Sequence, residues 1–344
     1  MGSFWLNEFL QRPESEKYPY ARAKALCSQG WMLLWLEKLS QARRPAEESL
    51  ALYKACNDRT GEIDALNLLG ATYYNIGDHV EGIKHYQQAL TLSQSLGDIW
   101  RQAIAYSLLG DDRSDLQRSF DNWDKAVKLF GEAGDRRSQA EFLSVIGLYR
   151  ALNGDVELAQ KCLEETAILI PLESNIYTWG YLQVTKSLIA RLHGDYDEAY
   201  TLLQDALVHF EKLGNQFERL WFTVRFGSIA LAKGNVKEAR EIFIRSAKAF
   251  QTNKDKLGVL FSLEEMARLF VLNGNPKIAA RLIGWANAMR EEINELRPRV
   301  EQNDVNKVVE ACISTLGEAT FTGEYHTGRV MTLNEAVELS LNEQ

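Results

Sequence analysis

Residues that could carry chemistry are sparse in this sequence, and their spacing does not group them. HExxH and GxSxG motifs do not occur. His79 and His85 are six residues apart, a poor separation for two side chains on one face of a helix. The cysteines form no CxxC pair of the kind used by zinc sites and redox couples; they are Cys27, Cys56, Cys162 and Cys312. The sequence therefore predicts no catalytic constellation, no metal site and no cofactor.

The nearest approach to a nucleotide-binding loop is GSIALAKG, from Gly227 to Gly234. It lacks the second glycine of the GxxxxGK[ST] pattern and falls inside a helix of the repeat described below, so we interpret it as core. We expect that the chain is not an enzyme. The enzymatic alternative has only the inventory of cysteines and histidines in its favour, because no site is assembled.

Composition and charge restrict the partners. With 344 residues, 46% of them hydrophobic and 25% charged, the chain can bury a large core. A formal net charge of -8 repels phosphate backbones and anionic membranes, so direct nucleic-acid binding is not expected. No apolar run approaches a membrane span, and the N-terminus lacks the order of a signal peptide. We therefore predict a cytoplasmic protein that does not contact a membrane.

Small residues recur along the chain in three columns, with a step of 40 that shortens once to 37. The first column is Gly30, Gly70, Gly110, Gly147, Ser187, Gly227 and Ala267. The second is Ala42, Gly82, Ala159, Ala199, Ala239 and Ala279, and the third is Ser49, Ala89, Ala126, Thr166, Ala206, Ser246 and Ala286. Small residues let the backbones of two packed helices approach closely, so each unit is predicted to be a helical hairpin.

A break separates the two helices of each unit, at Gly77-Asp78, Gly154-Asp155, Gly194-Asp195, Gly234-Asn235 and Gly274-Asn275. Glycine tolerates the left-handed conformation that ends a helix, and Asp or Asn caps the next helix. One hairpin cannot cover its own apolar faces, so the hairpins must stack into a solenoid. The third unit, Ser107 to Asp135, lacks three residues and the Gly-Asp break, which predicts a shortened or broken hairpin; it is interpreted as a tolerated loop deletion or as a hinge or ligand loop.

The pattern resembles the tetratricopeptide repeat, whose small and aromatic columns are matched in the second unit by Leu69, Gly70, Tyr73, Gly82, Tyr86 and Ala89. The resemblance implies an all-α fold, a right-handed superhelical solenoid of about seven helical hairpins with a C-terminal helical cap. We expect a lead-in helix over residues 1–20, the repeats over 21–296 and the cap over 297–344. Within the cap, the sequence predicts a helix from Asn303 to Leu316 and a capping box at Thr332 and Glu335.

A narrower resemblance concerns both ends of the chain. The stretches WLNEFL, ARAKALCSQGW, ARLIGWANAMRE, LGEATF and MTLNEAVELSL look like the start and the end of the repeat region in bacterial STAND signalling ATPases, relatives of LuxR-type and SARP-type transcription regulators. This resemblance implies a sensor that binds an inducer or a protein and releases the ATPase module preceding it from inhibition. The alternative is a free-standing adaptor that binds partner proteins or peptides.

In this repeat the first helix of each hairpin lines the concave groove, where repeat proteins usually bind. Groove positions combine aromatic rings with hydrogen-bonding groups, which is the composition of a binding site for a small molecule or a protein segment. Alternatively, each ring packs between neighbouring first helices as core. The candidate ligand-binding residues are Trp31, Asn67, Tyr74, Ser107, Asp111, Tyr181, Arg191 and Trp221.

Overall fold

The computed structural model describes residues 2–36, 38–76, 78–112, 114–170, 175–214 and 216–342. Over these residues the chain forms eighteen α-helices and one short 3₁₀ helix, without a β-strand, as the all-α prediction requires. The fold divides into two compact units, Met1–Phe142 and Leu143–Gln344. Each unit is described by itself.

The first unit is built from sequential helix pairs. A 3₁₀ helix, Pro13–Lys17, lies between its first two helices. The α-helices are α1 (Gly2–Gln11), α2 (Pro19–Trp35), α3 (Leu39–Ala55), α4 (Arg59–Asn75), α5 (His79–Leu96), α6 (Ile99–Gly110) and α7 (Leu116–Glu132), and the division between the units falls within α8 (Arg136–Leu152). Hairpins form between α2 and α3, α4 and α5, and α6 and α7, and the first helices α2, α4 and α6 also contact one another in turn.

The second unit continues the same arrangement. Its helices are α9 (Val156–Leu169), α10 (Ile176–His193), α11 (Tyr196–Lys212), α12 (Gln216–Ala232), α13 (Val236–Thr252), α14 (Lys256–Leu272), α15 (Pro276–Ile293), α16 (Arg299–Leu316), α17 (Glu318–Arg329) and α18 (Leu333–Asn342). Hairpins form between α10 and α11, α12 and α13, and α14 and α15. The largest apolar cluster lies at its C-terminal end and includes Phe243, Phe270 and Trp285.

Acidic caps and left-handed glycines set the helix boundaries. Asp78 accepts a hydrogen bond from the amide of Glu81 at 3.2 Å, and Asp195 does the same for Glu198 at 3.0 Å. Gly194 ends α10 with φ of 84°, a conformation that strains any residue with a Cβ. The predicted turn residue Gly77 lies outside the described residues.

Close helix packing explains the small-residue columns, all of which are buried. A Cβ on Gly70 would lie 2.6 Å from the ring of Tyr86, and one on Gly110 would lie 2.2 Å from Trp123. Both distances are far below van der Waals contact, so these positions accept only the smallest residue. The register read from the sequence is therefore the packing register of the hairpins.

The third hairpin is shorter at its first helix, since α6 has 12 residues whereas α4 has 17. The chain after α6 is held by Asp112, which accepts hydrogen bonds from Ser114 Oγ at 2.7 Å and from the Arg118 guanidinium at 2.5 Å. The Asp112 carbonyl also accepts a bond from Ser119 Oγ at 2.7 Å. The deletion thus shortens α6, and side-chain bonds replace the missing glycine turn.

Among the described helices, none combines the length and apolar character needed to cross a bilayer. The described residues also contain no cluster of three or more His, Cys, Asp or Glu side chains placed to hold a metal ion.

Candidate functional site

The first unit contains five of the eight candidate residues, all on its first helices or directly after them. The phenol of Tyr74 donates a hydrogen bond to the carbonyl oxygen of Asp111 at 2.6 Å, and its ring stacks on His79 at 4.4 Å. This bond connects the end of α4 with the end of α6. The structure therefore brings Tyr74 and Asp111 together.

Asn67 lies in the middle of α4, with only 2% of its surface exposed. No described residue offers a donor within hydrogen-bond distance of its Oδ1. Ser107 is buried to the same degree, but its hydroxyl donates to the carbonyl of Ile104 at 2.8 Å in its own helix. Trp31 is half-buried against the apolar cluster of the first hairpins. Of these three residues, Asn67 is the one with a buried hydrogen-bonding atom that lacks a partner.

Tyr181 and Trp221, in the second unit, belong to aromatic clusters. The Tyr181 ring makes edge contacts with Phe210 at 6.0 Å and with Phe222 at 5.5 Å, and burial raises the pKa of its phenol well above the ordinary value. Trp221 stacks on Phe261 at 6.0 Å. Both rings pack between helices, the alternative that the sequence left open for each aromatic.

Arg191 on α10 forms an ion pair with Asp304 of α16. Burial alone would raise the pKa of the Asp304 carboxyl, but the positive charges of Arg191 and Arg268 outweigh that effect and hold the pKa below its ordinary value. One turn earlier on α16, Glu301 accepts a hydrogen bond from Arg225 of α12 at 2.9 Å. The first turns of α16 thus lie across the first helices of two hairpins.

The N-terminal end of α16 reaches further, to the connection between α8 and α9. Arg299 donates to the carbonyl of Asn153 at 2.7 Å and to the carboxylate of Asp155 at 2.9 Å. We call the face formed by the first helices α10, α12 and α14 the inner surface of the second unit. A cavity of only about 20 Å³ remains between this surface and α16.

A buried charge cluster fixes the start of α16 to the last hairpin. Glu264 of α14, which is 4% exposed, accepts two bonds from Arg290 at 3.0 Å and one from Arg297 Nη2 at 2.5 Å. Its burial would raise the carboxyl pKa, but Arg290 and then Arg297 outweigh this effect and lower it. Arg297 also donates to Asn287 and Gln302 at 2.8 and 2.6 Å, so the segment before α16 is held by several bonds.

The helix predicted over Asn303 to Leu316 is present and ends at Leu316, but it begins one turn earlier, at Arg299. Pro298 stands at its N-cap, and proline is compatible with the start of a helix, where no amide donor is required. The additional turn carries Glu301, and together with Asp304 it gives α16 two carboxylates on one face. Sequence reasoning missed these two residues and Arg225 as parts of the inner surface; the signal was the acidic pair at a spacing of three directly after a proline.

The final two helices pack at the C-terminal end of the repeats. Helix α17 lies along α15, and α18 contacts α13, α14 and α15. The capping box predicted at Thr332 and Glu335 is present, with the Thr332 amide donating to Glu335 Oε2 at 2.7 Å and the Glu335 amide donating to Thr332 Oγ1 at 3.3 Å.

Residues 63–96, which contain most of α4 and all of α5, match the tetratricopeptide repeat family. No curated protein sequence matches the chain. Among solved structures, the chain is similar to the apo form of the quorum sensor NprR from B. thuringiensis, with 14% identity and a TM-score of 0.49. That alignment covers 84% of this chain and 87% of NprR.

Proposed function

We propose that the chain is the sensor module of a bacterial STAND signalling ATPase related to LuxR-type and SARP-type regulators, and that it binds a peptide segment on the first helices of its first unit. The observation that carries the binding site is Asn67. A buried carbonyl oxygen without a donor costs about 1–3 kcal/mol, and a ligand N–H that reaches it recovers this free energy.

The surroundings of Asn67 support a peptide rather than an ion. A carboxamide carries both donors and an acceptor, as a peptide group does, so the two can pair through two hydrogen bonds. Trp31 on the neighbouring helix α2 supplies apolar area, and the Tyr74–Asp111 bond holds the end of α4 against α6. Helices α2, α4 and α6 contact one another in turn, so the helices that carry these groups support one another.

The binding test uses substitution of Asn67 by leucine, a change that keeps the number of side-chain heavy atoms and removes the unpaired oxygen. We expect Asn67→Leu to stabilise the free protein by about 1–3 kcal/mol, because the buried acceptor is gone. The same variant should bind at least tenfold more weakly to peptides selected on the wild-type chain from a displayed dodecapeptide library. Gln87→Ala on the exposed face of α5 is the matched control and should leave binding unchanged.

The affinities of the selected peptides for the wild type and for Asn67→Leu test where the binding site lies. Peptides that bind Asn67→Leu as tightly as the wild type would show that this face is not the site. Calorimetry compares the wild type and Asn67→Leu in the same way with small molecules. If only small molecules bind, and bind more weakly to the variant, the ligand is a small molecule and the proposed binding face is kept.

The signalling context rests on the stretches at the two ends of the repeats that resemble STAND proteins. Reading the gene upstream of Phe4 tests it: a P-loop module in the same reading frame supports the sensor. An in-frame stop directly before this chain would support the rival, a free-standing adaptor that binds partner proteins or peptides, with the same face as its binding site.

A further inference from the structure

The inner surface of the second unit is occupied by the first turns of α16, and the two halves of this helix are held differently. The N-terminal half is held mainly by charges, through Asp304 with Arg191 and Glu301 with Arg225, and its Val300 is also buried. The C-terminal half is held by apolar packing, since Val308 and Cys312 belong to the large C-terminal cluster. Displacing the first turns of α16 therefore breaks these ion pairs and the bonds of Arg299 to Asn153 and Asp155, while the Arg297–Glu264 pair and the apolar half hold the helix on either side.

Both arginines lose their carboxylate partners when α16 leaves. The side chains of Arg191 and Arg225 are 14% and 18% exposed with α16 in place, so departure of α16 uncovers two guanidinium groups that can pair with other carboxylates. Arg225 is further positioned by the ring of Phe261, which lies 4.8 Å below its guanidinium carbon. Without α16, the inner surface therefore offers two positive charges to an occupant with carboxylates at these two places.

Helix α16 shows what such an occupant looks like. Its two carboxylates are three residues apart, which places them on one face of a helix about one turn from each other. The side chain directly before them, Val300, is only 8% exposed and packs against the backbone at Gly154. The surface thus accepts a helix with the order apolar, acidic, two residues of any type, acidic.

We propose that the inner surface of the second unit is a binding site for an acidic helical segment of a partner protein, and that the first turns of α16 occupy it as an internal competitor. Glu301 and Asp304 stand where the carboxylates of the partner bind. The site lies in the second unit and does not depend on a ligand at Asn67. Binding requires that residues 299–304 leave the surface, so the affinity of the site is set by how readily they do so.

The test measures binding of a labelled peptide with the sequence of residues 298–311 to the full chain by fluorescence anisotropy. The double variant Glu301→Gln/Asp304→Asn removes the internal carboxylates and leaves the arginines in place. We expect it to bind the peptide at least tenfold more tightly than the wild type. Adding Arg191→Gln and Arg225→Gln should abolish the gain, and a peptide with Gln and Asn at the two acidic positions should not bind.

Hydrogen exchange of the amides of residues 299–304 accompanies the titration and should accelerate when the acidic peptide binds. No gain in affinity in the double variant would overturn the proposal, whether these amides are protected or exposed. A gain that survives loss of both arginines would also overturn it, because the peptide would then bind elsewhere. If the double variant does not fold, Asp304→Asn alone is compared with the wild type by the same criteria.

Discussion

Two glycines permit α17 to cross α15 at very short range. A Cβ on Gly328 would lie 1.9 Å from the carbonyl oxygen of Arg281, and one on Gly284 would lie 2.1 Å from the carbonyl oxygen of Tyr325. Both obstacles are backbone atoms, so no side-chain rotation can relieve the clash. Gly323, on the same helix as Gly328, has no atom within 4 Å of its ideal Cβ position and is therefore a matched control.

Two opposing effects determine the cost of Gly328→Ala. Alanine in place of glycine stabilises a helix interior by about 0.5–1 kcal/mol. Overpacking of a close contact costs about 1–3 kcal/mol, and a backbone obstacle places this case near the upper limit. The docking of α17 should thus weaken by about 2 kcal/mol. The shift of α17 should also separate Glu324 from Arg281, which are 2.5 Å apart in the structure. Gly323→Ala should be neutral or stabilising.

Hydrogen exchange resolved by residue is the suitable assay, because repeat proteins open locally and a single melting temperature averages over the chain. A loss of about 2 kcal/mol accelerates exchange of the α17 amides about 30-fold in Gly328→Ala, while α4 and α5 in the first unit stay unchanged. Equal protection of α17 in Gly328→Ala and Gly323→Ala would refute the close crossing and with it the docking of the C-terminal helices.

Further consequences concern the core and the buried charges. Ala199→Leu should cost about 1–3 kcal/mol in denaturant unfolding, because the site is fully buried, and an unchanged midpoint would contradict the register. Because the pKa of Glu264 is lowered, its stabilisation is complete above the unfolded value of about 4.3 and disappears as the pH falls through the folded pKa; Glu264→Gln should flatten this acid loss in unfolding titrations. Burial raises the pKa of Cys27 to about 12 and that of Cys312 to about 11, so native protein at pH 8 should leave both unlabelled by iodoacetamide, as mass spectrometry can verify.

The hairpins could be predicted from the sequence because their determinants are local and repeated. Gly70 and Gly82 lie on facing helices of one hairpin, and their spacing of 12 residues predicts the close approach of their backbones. Tyr86, whose ring lies against Gly70, occupies a position that holds Leu203 and Phe243 in later units. Sequence periodicity predicts contacts of this kind, because the same helix–helix contact recurs in every unit.

The occupant of the second unit's inner surface could not be predicted in this way. Arg191 and Asp304 are 113 residues apart, and Arg299 and Asn153 are 146 apart. No period connects such pairs, and each charged residue alone resembles an ordinary solvated side chain. The sequence correctly placed Arg191 among the first-helix positions, but the identity of its partner depends on where a helix outside the repeat comes to lie.

The first helices of the two units therefore differ in what covers them. In the first unit, Asn67 retains an unused but buried acceptor, so the proposed ligand has to move the side chains that cover Asn67 before it can add a hydrogen bond. In the second unit, the first turns of α16 occupy the inner surface, so binding of an external helix includes the free-energy cost of displacing them. A ligand stabilises the form that binds it by an amount that grows with the logarithm of its concentration over its dissociation constant, and competition by α16 raises the apparent constant by the ratio of closed to open forms. Under the proposed competition, a tenfold preference for the closed form requires about tenfold more partner for the same occupancy, so weaker ion pairs of Arg191 and Arg225 with α16 should lower the partner concentration needed for binding.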